Sequence, residues 1–259
     1  MRLFFFVFGF MIFGKIDAQK VLATELVYQY YKYSDLHMQS TDYLYLLEDN
    51  RTLYITGVFS ERENSITKNV DVAIKRSSKF ANHYYYNFYK KDSLFYKTKV
   101  LDKDFFVKER TPEFNWILVD EFKEVNGVEL QKATTSFRGR NYTAWCDLET
   151  PISIGPWKFN NLPGLAYEIT DDNNEFYNEW FLSQINFEKE VDLKPYKIDL
   201  SKTIHLIDFV HKKDDIYNIV QESVFIRNSE IQGMEKVESS SNKINNRIRA
   251  LEIKYEWED

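Results

Sequence analysis

Cysteine is almost missing from this chain: Cys146 is the only one in 259 residues. No disulfide can form within it, so stability has to come from a packed core, and no Cys-x-x-Cys pair offers a zinc site. Histidine is nearly as scarce. His37, His83, His205 and His211 include no pair with the spacing of a zinc-binding helix. His205 and His211, six residues apart, would project from different sides of a helix. Neither a metal nor any other cofactor is expected. An excess of positive charge is also lacking. Lys and Arg number 34 against 40 Asp and Glu, giving a net charge of −6, which argues against nucleic acid and anionic lipid as main partners.

Long apolar runs are absent too. The longest, Leu3 to Phe13, has eleven residues, against the roughly twenty that span a bilayer. It follows Arg2 and precedes the small residue Ala18, the layout of a secretory signal peptide comprising residues 1–19. Residues 20–259 then form a single domain of an exported protein, periplasmic, on the cell surface or secreted. Cys146 lies far from the cut, so no lipid attachment is expected there, and no transmembrane segment remains after cleavage.

Aromatic residues, by contrast, make up 17% of the chain, and they alternate with polar ones. Leu26, Tyr28 and Tyr30 share one side of a stretch. Tyr43 to Leu47 and Thr52 to Thr56 flank the turn Glu48-Asp49-Asn50, and Asn126-Gly127 marks a hairpin before Val128 to Phe137. Period-two patterning of this kind predicts antiparallel strands. Further strands are expected at Ser93–Lys99, Asp104–Lys108, Trp116–Lys123, Asn141–Asp147, Tyr167–Thr170 and Glu175–Lys189. The segment Ile204–Ile226 reads as a helix, Val70–Phe80 as helix or strand, and Glu235–Asn246 as a polar connection. Leu251, Ile253, Tyr255 and Trp257 alternate with charged residues and read as a closing strand. The expected fold is mainly β, a strongly curved antiparallel sheet or half-open barrel with one or two helices.

Proline and glycine, sparse at 5 and 8, concentrate in one place: Pro151 to Ala166 holds three of the prolines and two of the glycines. Such punctuation among large apolar residues marks a rigid, partly buried loop. Leu162-Pro163-Gly164-Leu165 fits a type II turn, with Pro163 presetting φ and Gly164 accepting a positive φ. Trp157, Phe159, Leu162 and Leu165 are its expected anchors. The aromatic rings of Trp145, Trp157, Phe159 and Tyr167 bracket the loop, as a binding platform or as core beneath it, with core favoured for at least two of them.

The blocks Asn115-Trp116-Ile117, Gln131-Lys132-Ala133, Phe137-Arg138-Gly139-Arg140, Tyr142-Thr143-Ala144-Trp145 and Gly155-Pro156-Trp157-Lys158-Phe159 precede Leu162-Pro163-Gly164-Leu165 in order. Together they resemble the GLPGLI family of proteins exported by Bacteroidetes-type bacteria, over Phe114 to Thr170. The resemblance implies fold and address and no chemistry, since the family has no established activity. Asn161 stands where that family has Gly, and Asn is the residue that best tolerates the left-handed conformation in its place. Ala166 replaces Ile and leaves a shallower apolar contact, while Cys146 and Thr150 replace Tyr and Ile.

Chemistry is thinly represented. Cys146 has acidic neighbours, Asp147 and Glu149, which would raise the pKa of a nucleophile, so a small buried apolar role is expected. No Gly-x-Ser-x-Gly elbow is present. Asp171, Asn173 and Glu175 alternate like calcium ligands, but the loop lacks the Gly and the bidentate Glu that should follow, so a turn is expected. Arg138 and Arg140 suit capture of an anion; internal pairing with Asp147, Glu149 or Glu168 is favoured over that role. No catalytic residue, cofactor-binding residue or metal ligand is assigned. The expected function is an exported non-catalytic binding or assembly module whose partner is a protein, a peptide or an apolar ligand. Two alternatives stand beside it: a carrier of an apolar ligand within a curved β-sheet, and a hydrolase with an Arg/carboxylate site near the Asn161–Ala166 loop.

Overall fold

The computed structural model describes residues 20–33, 38–58, 83–173, 176–232, 247 and 250–258. The expected signal peptide and the segments Val70–Phe80 and Glu235–Asn246 lie outside the described residues.

The chain builds two meanders. The first runs through β1 (Lys20–Lys32), β2 (Met38–Leu47), β3 (Arg51–Val58), β4 (His83–Phe88), β5 (Ser93–Val100) and β6 (Lys103–Glu109). The second runs through β7 (Ile117–Val125), β8 (Val128–Phe137), β9 (Arg140–Asp147), β10 (Leu165–Asp171) and β11 (Asn178–Asp192). They join where β1 pairs antiparallel with β11, from Lys20 opposite Asp192 to Lys32 opposite Asn178. A short strand β12 (Thr203–His205) adds to β6 in parallel and leads into the helix α1 (Leu206–Gln232). The result is one curved, unclosed sheet of 12 strands, as the alternating patterns predict.

Local sequence explains the reversals. Asn126 (φ 53°) and Gly127 (φ 82°) form the two-residue turn between β7 and β8, the backbone twist that tight hairpins need. Arg138 (φ 44°) and Gly139 (φ 83°) do the same between β8 and β9. The inward face of the second meander and the neighbouring strands buries Leu26, Tyr28, Phe114, Tyr142, Phe159 and Trp180 as one cluster. A second cluster, with Tyr96, Val107, Phe209, Val210 and Tyr255, lies where α1 covers β5 and β6.

Two expectations are corrected. The closing segment from Leu251 is not a strand but a run of bends and turns. Ile253 and Lys254 both donate their backbone N–H to the Arg138 carbonyl, at 2.8 and 3.1 Å, and one carbonyl receiving two successive amides is incompatible with a ladder. The bends break the alternation, and Glu252 and Tyr255, three residues apart, both turn inward against the sheet. The helix also begins two residues later than expected, because Ile204 and His205 belong to β12, and it reaches Gln232.

Candidate functional site

The loop between β9 and β10 folds back on itself. Phe159 N–H donates to the Pro156 carbonyl at 3.1 Å, Gly155 N–H to Phe159 O at 3.0 Å, and Leu162 N–H to Ser153 O at 3.0 Å. Trp157 and Asn161 both take φ 54°, so asparagine does occupy a left-handed position. Asp147 ties the loop's start through Glu149 N–H at 2.9 Å and Thr150 Oγ1 at 2.6 Å. Trp116 Nε1 donates to Asn160 O at 3.0 Å, and Asn160 Nδ2 to Pro112 O at 2.8 Å.

Leu162-Pro163-Gly164-Leu165 is not the expected type II turn, because Gly164 has no positive φ. Glycine is required there for another reason. A Cβ would overlap the Asp147 carbonyl oxygen and lie 2.8 Å from its carbon, so the backbone of β9 itself excludes a side chain. Phe159, Leu162 and Leu165 are buried anchors, as expected, and Pro163 is half-buried. Trp145 and Tyr167 are only partly buried; Lys123 Nζ lies 4.5 Å from the Trp145 ring centre.

Arg138 and Arg140 do form internal ion pairs, but not with the expected carboxylates. Arg138 engages Glu109 at 2.9 Å, Glu252, and Glu256 at 2.9 Å. Lys158 from the loop contacts both Glu109 and Glu252, the latter at 2.9 Å. Burial works to raise the Glu252 carboxyl, yet Lys158 and Arg138 override it and hold the group at about 2. Burial raises Glu109 in spite of the same two cations. Arg140 pairs with Asp171 at 3.1 Å and donates to the Ala250 and Phe176 carbonyls at 2.7 and 3.0 Å. Of the expected partners, Asp147 caps the loop and Glu168 pairs with Lys123 at 2.5 Å. The two arginines thus bind the closing segment and the β10–β11 corner to the sheet.

Asp171 lies in this network, accepting from Asn178 Nδ2 at 2.6 Å. Among the described residues no group of three or more His, Cys, Asp or Glu could hold a metal. Cys146 is fully buried, and burial pushes its thiol up to about 12 against the Gly164 N–H, which works to lower it.

What the sequence left unseen is a cavity of about 300 Å³, half open to solvent, between the concave face of the sheet, the loop, α1 and the closing segment. Its sheet wall is tyrosine-rich. Tyr30 of β1 stacks on Trp180 of β11 at 5.0 Å, Tyr85 of β4 stacks on Tyr96 of β5 at 5.0 Å, and Tyr54 of β3 bridges the two pairs. The loop contributes Trp157 and Lys158. From α1 come Phe209, Lys213 and Tyr217, four residues apart and so on one helix face. Glu252 and Tyr255 of the closing segment complete the wall.

Two of these tyrosine hydroxyls, those of Tyr54 and Tyr30, are tied into the sheet behind the cavity. Tyr54 OH receives Trp180 Nε1 at 3.2 Å and donates to Asp42. Asp42 is wholly buried and also accepts from Ser40 Oγ and Gly57 N–H, each at 3.0 Å. Burial raises its carboxyl to about 6, even though these donors work to lower it. Tyr30 OH donates to Asn178 Oδ1 at 2.7 Å. Rings fixed in this way form a rigid, preorganised surface.

No family model matches the chain, and no curated protein does. Among solved structures, PNGF-II in a C2 crystal form aligns with TM-score 0.47 and 12% identity, over 71% of this chain and 31% of that one. This chain spans about a third of the length of PNGF-II. The LolA superfamily protein NE2245 from Nitrosomonas europaea aligns with TM-score 0.27 and 7% identity, over 64% of this chain and 86% of that one. A putative outer membrane lipoprotein-sorting protein domain from Vibrio parahaemolyticus gives TM-score 0.27 and 10% identity, over 65% and 84%. At identities this low no function passes from them to this chain. Among the described residues no helix is long and apolar enough to cross a membrane.

Proposed function

We propose that this protein is an exported, non-catalytic carrier that holds one small ring-bearing ligand in the cavity between the curved sheet and α1. One observation carries this reading: a cavity of about 300 Å³ whose sheet wall is made of stacked aromatic rings held from behind by hydrogen bonds. That volume is at the lower end of ligand pockets, which span about 300–1,000 Å³. Aromatic walls with few aliphatic side chains favour flat rings over acyl chains. Export rests on the run Leu3 to Phe13 behind Arg2.

The hydrolase alternative is weakened by the charge arrangement. Arg138, Lys158, Glu109 and Glu252 are engaged with one another, which opposes use of the pair as a free acid and base. The assembly alternative would place the loop's anchors at the surface, whereas Phe159, Leu162 and Leu165 are buried.

Protein purified under native conditions from its own cell envelope, then denatured, should release a small ring-containing compound detectable by mass spectrometry at near-equal molar amounts. If native protein carries none, and no ring-bearing compound from a broad panel quenches the fluorescence of Trp157 and Trp180, the carrier reading is wrong.

A further inference from the structure

The cavity has a chemical polarity. Its sheet wall holds the stacked rings, with Lys32, His83 and Lys99 also on it, and the helix face presents the ammonium of Lys213 between Phe209 and Tyr217. Lys213 Nζ lies 5.8 Å from the centre of the Phe209 ring and 6.0 Å from that of Tyr255. Among the described residues it makes no ion pair within 4 Å. Lys32, Lys99 and Lys158 also line the cavity; Lys158 is occupied by Glu109 and Glu252, and Lys99 lies 3.9 Å from Asp102, while Asp214, beside Lys213 in sequence, is occupied by Arg247. The carboxylates around Lys213 are therefore already committed to other cations. An ammonium on an aromatic wall, with no ion pair among the described residues, is an anchor for an acceptor that arrives with a ligand.

Resting on the carrier reading above, we infer that the ligand is an organic anion: a planar ring system that stacks among Tyr85, Tyr96 and Trp157, with one acidic group that pairs with Lys213. The placement fits this division, because Lys213 follows Phe209 by one helical turn and precedes Tyr217 by another, so charge and rings share one face. Burial also lowers the Lys213 pKa, and an anion brought beside it would favour the charged form.

The test uses two fluorescent probes of nearly the same shape: 8-anilinonaphthalene-1-sulfonate, which carries an anionic group, and N-phenyl-1-naphthylamine, which does not. The wild-type protein should bind the sulfonate at one site and more tightly than the neutral probe. Lys213→Met should weaken the sulfonate by about tenfold or more, the loss of a charge-assisted pair, while moving the neutral probe by about twofold or less. Lys213→Arg should keep most of the affinity for the sulfonate. Equal binding of both probes by the wild type overturns the anion inference and leaves the carrier reading standing, as does a Lys213→Met variant that holds both probes unchanged. Failure of the wild type to bind either probe overturns the anion inference, while the carrier reading falls only if the native protein also carries no compound and the broad panel fails. If Lys213→Met does not fold, the wild-type comparison still decides whether the ligand is anionic, and Lys213→Gln read with the same two probes decides whether Lys213 is its anchor.

Discussion

Gly164 and the Asp147 carbonyl are in such close contact that no side chain fits between them: a Cβ on Gly164 would overlap the carbonyl oxygen and lie 2.8 Å from the Asp147 carbon. Asp147 in turn caps the start of the loop. The loop is thus pressed onto the end of β9 at its beginning and its end. Gly164→Ala should cost roughly 1–3 kcal/mol through forced backbone shifts, and Gly164→Val at least as much. Leu165, 1% exposed, should cost about 2–5 kcal/mol on truncation to Ala. Thermal melts check both. Variants that melt with the wild type would mean that the loop does not lock the sheet.

Cys146 should be silent. Its thiol is buried and pushed up to about 12, so little thiolate forms at neutral pH. Iodoacetamide should label the native protein slowly and the denatured protein fast. Rapid labelling of folded protein at pH 7 would contradict this.

Arg138 should be far more important to stability than its exposed partner Glu256. Replacing Arg138 with Ala strands Glu109 and Glu252 with only Lys158, and removal of one partner from a buried charge cluster typically costs about 3–5 kcal/mol. Glu256, whose side chain is 60% exposed, should cost about 1 kcal/mol or less on replacement by Ala. Urea denaturation of the two variants compares them directly, and equal midpoints would refute the ranking.

Asp42 should make the fold more stable towards mild acid. Its carboxyl, raised to about 6 by burial, binds a proton in the folded state before the unfolded chain does. Stability from this group is therefore greatest below the unfolded value of about 4, falls as pH rises towards 6, and is level above that. Relative to Asp42→Asn, the wild type should lose up to about 3 kcal/mol across that window. A pH-independent difference between the two would show that Asp42 is not raised.

Much of the sheet is legible in the sequence because antiparallel strands write their two faces as alternation and their tight turns as Asn126-Gly127. The burial of Phe159 and Leu165 follows from apolar residues set between prolines and glycines. The failures have a common origin in contacts between distant parts of the chain. Pro163-Gly164 reads as a local turn, while the constraint on Gly164 comes from β9. The partners of Arg138 arrive from Glu109 and Glu252, which no reading of its sequence neighbours could supply. The closing segment carries a strand's alternation yet joins no strand, because its bends turn Glu252 and Tyr255, from opposite sides of that pattern, both inward. The cavity was invisible for the same reason. Tyr30, Tyr54, Tyr85 and Tyr96 read as ordinary strand residues until the strand order sets them side by side, and Lys213 reads as one surface charge among many.

The seam between β1 and β11 has a kinetic consequence. Every other strand pair within the two meanders joins segments that follow one another in the chain, whereas Lys20 to Lys32 must find Asn178 to Asp192. Closing so long a segment carries an entropic cost that no contact repays until the strands are aligned. The seam is therefore expected to set the pace at which the two meanders become one sheet. Pulse-labelling hydrogen exchange during refolding should find the amides of β1 and β11 among the last to gain protection. Until then the cavity's wall is incomplete, since Tyr30 and Trp180 lie on the two sides of that seam, so the full capacity to hold a ligand is expected only once the seam has closed.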